Sequence, residues 1–372
     1  MRVWQPEPMN GTELAVAARG RSLCLSLLCA RSDPLTRHLQ QLERDLERRI
    51  GFDYPRIGTL RPTSEQLTRL AEAITAVDVG PLATETDPLR LLAGLGDAVD
   101  SAMPWQPPFI RDALTAFPAV RDALLPAADA IAAAPGAHWW NDPIDLAHQY
   151  EMHDLAHRTD EQSRPAQQIL EDLRAAATYD ERRHGRPPVD PADEPGDAWW
   201  SIPTGWIPKQ LSARLPHTSR RLPELGAVEL AAQEDSTGPA RAELRHVEPV
   251  PRSPRVFEVH GPDDWTRLVN AYPFEATRTR RGVWWESTGI DGRWYIPDWL
   301  TAAADWDAIH LTVWGYLTTA GEALPATEGG TVLAGWNPDC TYWLCDVRKT
   351  AADTWIRTSD TDMTHWARSS DG

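Results

Sequence analysis

Apolar positions in the first half of the chain recur at helical spacing. Leu35, Leu39, Leu42, Leu46 and Ile50 follow one another at steps of three or four residues, which puts them on one helix face. Ser32 or Asp33 caps this helix, Pro34 sits in its first turn and Gly51 ends it. Thr63 and Gln66 form a capping box for a second helix through Leu67, Leu70, Ile74 and Val77. Further helices are predicted over 87–101, 109–134, 142–161 and 165–184, with Pro118 and Pro126 dividing the 109–134 stretch.

The pattern changes at 186–198, RPPVDPADEPGDA, which reads as a linker of prolines and acidic residues. Beyond it, short β-like runs are predicted as strands over 226–232, 255–260, 283–288, 293–297, 308–314, 331–335 and 341–347. Short helices are expected at 262–270 and 298–306, and the polar tail after 357 is expected to fray. The fold class is therefore α+β. A helical domain (1–185) and the linker lead into a mixed or antiparallel α+β domain (199–357) and a polar tail (358–372).

Tryptophan sharpens this division. Fourteen of the 18 tryptophans lie after residue 198, and eight fall between Trp284 and Trp343. Indoles fill cores, and they also stack on planar rings and sugars. The net charge of −17 disfavours nucleic acid and anionic lipid as partners. Cys24 and Cys29, and Cys340 and Cys345, sit in apolar, strand-like runs and read as reduced thiols of a cytoplasmic protein. The opening MRVWQPEP is not read as a signal peptide, and the apolar run 23–30, a buried strand or short helix, is too short to span a membrane.

Two features carry candidate chemistry. In the predicted helix 142–161, HDLAH places His153 and His157 at i and i+4, where they could share a divalent ion. It resembles the HExxH helix of zinc peptidases, but Asp154 replaces the glutamate that acts as base there. A further ligand would have to come from elsewhere, for example His184 or a residue of the C-terminal domain. Glu161 continues the stripe, yet lies about 12 Å along the axis from His153, too far to share the ion.

The second feature is the segment 283–317. If 308–314 is one strand, alternation puts His310, Thr312 and Trp314 on one face. A histidine and a hydroxyl beside indoles form a binding floor, with His310 and Tyr316 as catalytic candidates and Trp294, Trp314 and Thr312 as ligand contacts. Phosphate-loop, dinucleotide and nucleophile-elbow motifs are absent from the sequence.

The runs RVFEVHGPDDW, GRWYIPDW, ADWDAIHLTVWGYL and AGWNPDCTYWL, within about 199–350, resemble a tryptophan-rich domain of actinobacterial proteins to which no activity is attached. A fainter similarity is to the ADP-ribosyltransferase layout, through Trp200–Ser201 or Thr218–Ser219, then His310, Tyr316 and Glu322. That resemblance implies NAD as cosubstrate, but no Glu-x-Glu, Gln-x-Glu or complete Ser-Thr-Ser is present.

Three function classes follow. One is a C-terminal domain that binds a planar or sugar-containing small molecule, NAD-dependent ADP-ribosyl transfer included. Another is a non-enzymatic module that binds a protein partner through exposed tryptophans. The third is a metal-dependent hydrolase on the HDLAH helix. The cofactor stays open between NAD and a divalent metal.

Overall fold

The computed structural model describes residues 8–50, 60–157, 164–183, 188–193, 196, 198–207, 210–235, 238–359 and 362–369. His184 and Glu161, considered above as neighbours of a metal, lie outside these residues. The fold is α+β, with a helical N-terminal region and a sheet-rich C-terminal part. Among the described residues no helix is long and apolar enough to cross a membrane.

The helices predicted from periodicity are present as Asp33–Ile50, Ser64–Thr75, Pro88–Asp100 and Ala166–Arg183. The capping box forms as read: Thr63 Oγ1 accepts from the Gln66 amide and Gln66 Oε1 accepts from the Thr63 amide. Pro118 opens the helix Pro118–Ala133, and Pro126 stands inside it without ending it.

The run SLCLSLLCA is not strand-like. It lies in the helix Ala18–Cys29, where Leu23, Cys24, Leu25, Leu27 and Leu28 are all buried. A helix buried on every side has no polar face, so its sequence loses the helical period. All four cysteines are free thiols, with Cys24 and Cys340 buried.

Among the described residues nine strands form one sheet. Its order is Trp366–Arg368, Asp353–Arg357, Arg241–Pro249, Gln149–Asp154, His217–Arg220, Cys340–Trp343, Ala308–Leu311 and Val256–Val259, with Val347–Lys349 pairing on Arg241–Pro249. Neighbours are antiparallel except Val256–Val259 and Ala308–Leu311, which run parallel and lead into the helices Pro262–Ala271 and Val313–Thr319.

The helix expected over 142–161 is not formed. Gln149–Asp154 is an inner strand of the sheet, and Leu155–His157 is a 3-10 turn. The strand is hard to recognise because two of its buried residues are polar. Gln149 accepts from Thr218 Oγ1 at 2.6 Å, and Glu151 meets Lys349 Nζ at 2.7 Å. Sequence contributed by the N-terminal half thus sits between two strands of the C-terminal half. One hydrophobic core likewise runs from Leu14 to Trp366.

Other expectations shift in the C-terminal part. The segment 283–288 belongs to the helix Thr277–Thr288, which Gly289 ends in the left-handed region at φ 75°. The run 226–232 forms only the 3-10 turn Val228–Leu230. The expected strand 308–314 stops at Leu311, because Thr312 caps the next helix by accepting from the Gly315 amide at 2.9 Å. His310, Thr312 and Trp314 therefore do not share a strand face. The tail also differs from expectation: Trp366–Arg368 is an edge strand, and Trp366 is buried.

Candidate functional site

The tryptophans are packed into the molecule. Among the described residues ten are buried and none is exposed. Trp294 packs edge-on against Trp284 at 5.2 Å between centroids, in a small core of its own. Trp314 is 3% exposed and donates to Glu13 Oε2 at 3.0 Å. Thr312 is fully buried as a helix cap.

His310 lies on Ala308–Leu311, one strand in from the edge of the sheet, and is fully buried. Strand register sets Glu258 beside it, and the two side chains meet at 2.5 Å through Nδ1 and Oε2. Its Nε2 is 3.5 Å from Asp339 Oδ1. Asp339 in turn accepts from Arg220 Nε at 2.6 Å and from the Arg220 amide at 2.8 Å. Burial opposes a charge on His310, but Glu258 and Asp339 outweigh it and push its pKa up to about 9. His310 is therefore a cation at neutral pH and has no lone pair to offer as a general base.

His153 and His157 do not form an i, i+4 helical pair, since one lies in a strand and the other ends a 3-10 turn. His153 Nε2 is 2.8 Å from Glu151 Oε2. Burial opposes the Glu151 charge, yet His153 and Lys349 hold its pKa down to about 2. Among the described residues no group of three or more histidine, cysteine or acidic side chains is placed to hold a metal ion. The hydroxyls matched to the ADP-ribosyltransferase layout are each engaged locally: Ser201 with Ala334, Thr218 with Gln149, and Ser219 with the Glu229 amide.

Tyr316 leads to a different place. It is buried, and its hydroxyl donates to Glu234 Oε1 at 2.9 Å. Glu234 lines a cavity of about 470 Å³ between the helical region and the C-terminal part. Apolar walls come from Leu60, Met103, Pro104, Phe117 and Ile290, and no tryptophan lines it among the described residues.

Among the described residues the ionisable side chains facing this cavity are Arg19, Arg21, Asp112, Glu234 and Glu322. The two arginines lie in the first turn of the helix Ala18–Cys29. This helix follows Gly11–Val16 after a single extended residue, Ala17. The chain can fold back so tightly because position 20 is glycine; a Cβ there would stand 2.2 Å from the Leu14 carbonyl oxygen. No side chain of the N-cap residue serves the new helix, and Glu322 accepts from its Ala18 amide at 2.6 Å.

Arg19 is neutralised. Its Nη2 meets Asp112 Oδ2 at 2.7 Å, and its Nη1 donates to the Ala98 carbonyl and to Ser101. Arg21 differs. It is 8% exposed and donates from Nε to Thr115 Oγ1 at 3.2 Å and from Nη1 to the Val16 carbonyl. Among the described residues no carboxylate lies within ion-pair distance of it. Burial lowers its pKa, and the more distant Glu322 only partly offsets this. Glu234 accepts from the Gly335 amide at 2.7 Å as well as from Tyr316. Burial outweighs these bonds and pushes its pKa up to about 7.

Of the residues singled out from sequence, Tyr316 reaches this cavity through Glu234, and Glu322 lines it. Arg19, Arg21, Asp112 and Glu234 were missed. The available signal was ARGRSLCLSLLC, two arginines at the head of an otherwise apolar run. A charge in a segment destined for burial needs a partner or a task. No family model, curated protein or solved structure matches this chain.

Proposed function

We propose that the protein binds a small molecule with an apolar body and an anionic group in the cavity beside Arg21. The small-molecule expectation is kept, and its place moves from the indole-rich segment to the boundary between the helical region and the C-terminal part. One observation carries the reading: a buried guanidinium on the wall of an apolar cavity without a carboxylate at ion-pair distance among the described residues. Burying a charge is costly unless it is paired, and a ligand anion would supply the pairing. The cavity volume of about 470 Å³ is within the usual range for small-molecule sites. Glu234, near its titration midpoint at neutral pH, adds a carboxyl that can donate or accept.

Calorimetric titration with hydrocinnamate and with hydrocinnamyl alcohol, which lacks the charge, tests this. Hydrocinnamate is expected to bind the more tightly. Arg21→Met should weaken it by roughly tenfold to a hundredfold, the range of a charge-assisted hydrogen bond, and leave the alcohol unchanged. Equal binding of both compounds, or indifference of hydrocinnamate to Arg21→Met, would refute the reading.

A further inference from the structure

We infer that the ligand's anionic group is a single carboxylate, and that Glu322, beside Arg21, is the residue that turns a phosphate away. This rests on the anion reading above and adds the class of anion.

Glu322 and Arg21 meet at the start of the helix Ala18–Cys29. Glu322 Oε1 accepts from the Ala18 amide at 2.6 Å. The Arg21 side chain folds back along the first turn, and its Nη1 donates to the Val16 carbonyl. The two anchor points are therefore two residues apart in the chain, at most about 7 Å. Both side chains line the cavity, and Glu322 is the acid that acts most strongly on Arg21.

A phosphate at a helix start is held by backbone amides turned towards it, and its second charge calls for further cations. Here Glu322 already takes the Ala18 amide. Among the described residues the cations lining the cavity are Arg19 and Arg21, and Arg19 is paired with Asp112. Arg121 acts on Arg21 from outside the lining and faces Asp122 at 3.5 Å. One guanidinium is thus left for the ligand, with Glu322 and Glu234 opposing any negative charge beyond the first. A carboxylate brings a single charge, whereas a phosphate monoester brings about −1.5 to −2 at neutral pH. The second charge would meet only carboxylates. Repulsion by Glu322 also grows with the charge on the ligand, so this one side chain separates the two classes.

The test is calorimetry on the full chain at neutral pH with hydrocinnamate and phenethyl phosphate, which share the phenethyl body. The wild type is expected to bind hydrocinnamate at least about tenfold tighter. Glu322→Gln keeps an oxygen for the Ala18 amide and removes the charge. It should tighten phenethyl phosphate by roughly tenfold and hydrocinnamate by only about threefold, because the phosphate feels about twice the repulsion. The wild-type ranking decides the class of anion even if the variant does not fold. Phenethyl phosphate binding the wild type as tightly as hydrocinnamate would overturn the inference and leave the anion reading standing. Equal shifts of both ligands in Glu322→Gln, or no shift, would overturn the part given to Glu322. Binding of neither ligand would overturn the inference and the anion reading together.

Discussion

A fragment that begins at Trp199 is expected not to fold when produced alone. It would lack Gln149–Asp154, the strand between Arg241–Pro249 and His217–Arg220. Both neighbours would then present unpaired backbone groups along a new edge, which invites association with other chains. The fragment would also lose the helix Ala18–Cys29, against which Val313–Thr319 packs, and each large apolar side chain bared costs about 1.5–3 kcal/mol. A domain holds only about 5–15 kcal/mol in reserve. The expected result is an insoluble product, or one without a cooperative thermal transition by circular dichroism. Co-production of residues 1–183 should restore a cooperative transition. A soluble fragment that melts cooperatively by itself would show that the C-terminal part is self-sufficient.

Replacing Asp339 by Asn should remove a large part of the stability. Asp339 is 1% exposed and faces both Arg220 and His310. Its backbone has φ 53°, a conformation that Asn tolerates far better than Ala, so Asn isolates the loss of charge. Stripping one partner from a buried ion pair typically costs about 3–5 kcal/mol. Denaturant unfolding should show a loss of that order; a change under about 1 kcal/mol would mean that Glu258 suffices for His310 and the Asp142 and Pro143 carbonyls for Arg220.

The same network sets the pH dependence. The His310 pKa is raised from 6.5 to about 9. The folded state therefore holds its proton more tightly, and this contribution is complete below about pH 6.5 and lost as pH rises through about 9. Glu234, raised from 4.5 to about 7, acts in the same direction: its contribution is complete below about 4.5 and gone above about 7. Glu151, lowered from 4.5 to about 2, acts oppositely, and its contribution is lost as pH falls below about 4.5 towards 2. Stability should peak near pH 5 and decline into the alkaline range. The decline above about pH 7 should shrink in Asp339→Asn, because His310 then loses one of the carboxylates that raise it. A melting temperature that stays flat between about pH 6 and 9 in the wild type would contradict this assignment.

Much of the helical layer was legible because its signals are local. The leucine spacing from Leu35 to Leu46 and the Thr63–Gln66 box need no knowledge of the rest of the chain. The strand Val256–Val259 and the helix after it were equally plain. What failed was whatever depends on a distant partner. Gln149 and Glu151 are tolerated inside a sheet only because Thr218 and Lys349 arrive from far along the sequence. Thr312 could have been read as a helix cap, since a glycine follows at the third position, but the β-branched run around it suggested a longer strand. The candidate site was hidden in another way. Tryptophan abundance drew attention to the core, whereas the cavity charges are single residues on separate elements that only the folded chain brings together.

Among the described residues the sheet ends on short strands, Val347–Lys349 beside Arg241–Pro249 included. Trp366–Arg368 closes one side with three residues, where Arg368 also pairs with Asp353 across to the neighbouring strand. Val256–Val259 closes the other with four, and the Ile144 amide reaches Glu258 on it. A second copy of the chain seeking to extend the ladder would find too few backbone groups in line to hold it. Brief, charged borders thus let the protein keep a wide sheet without offering it as a template for fibrous growth.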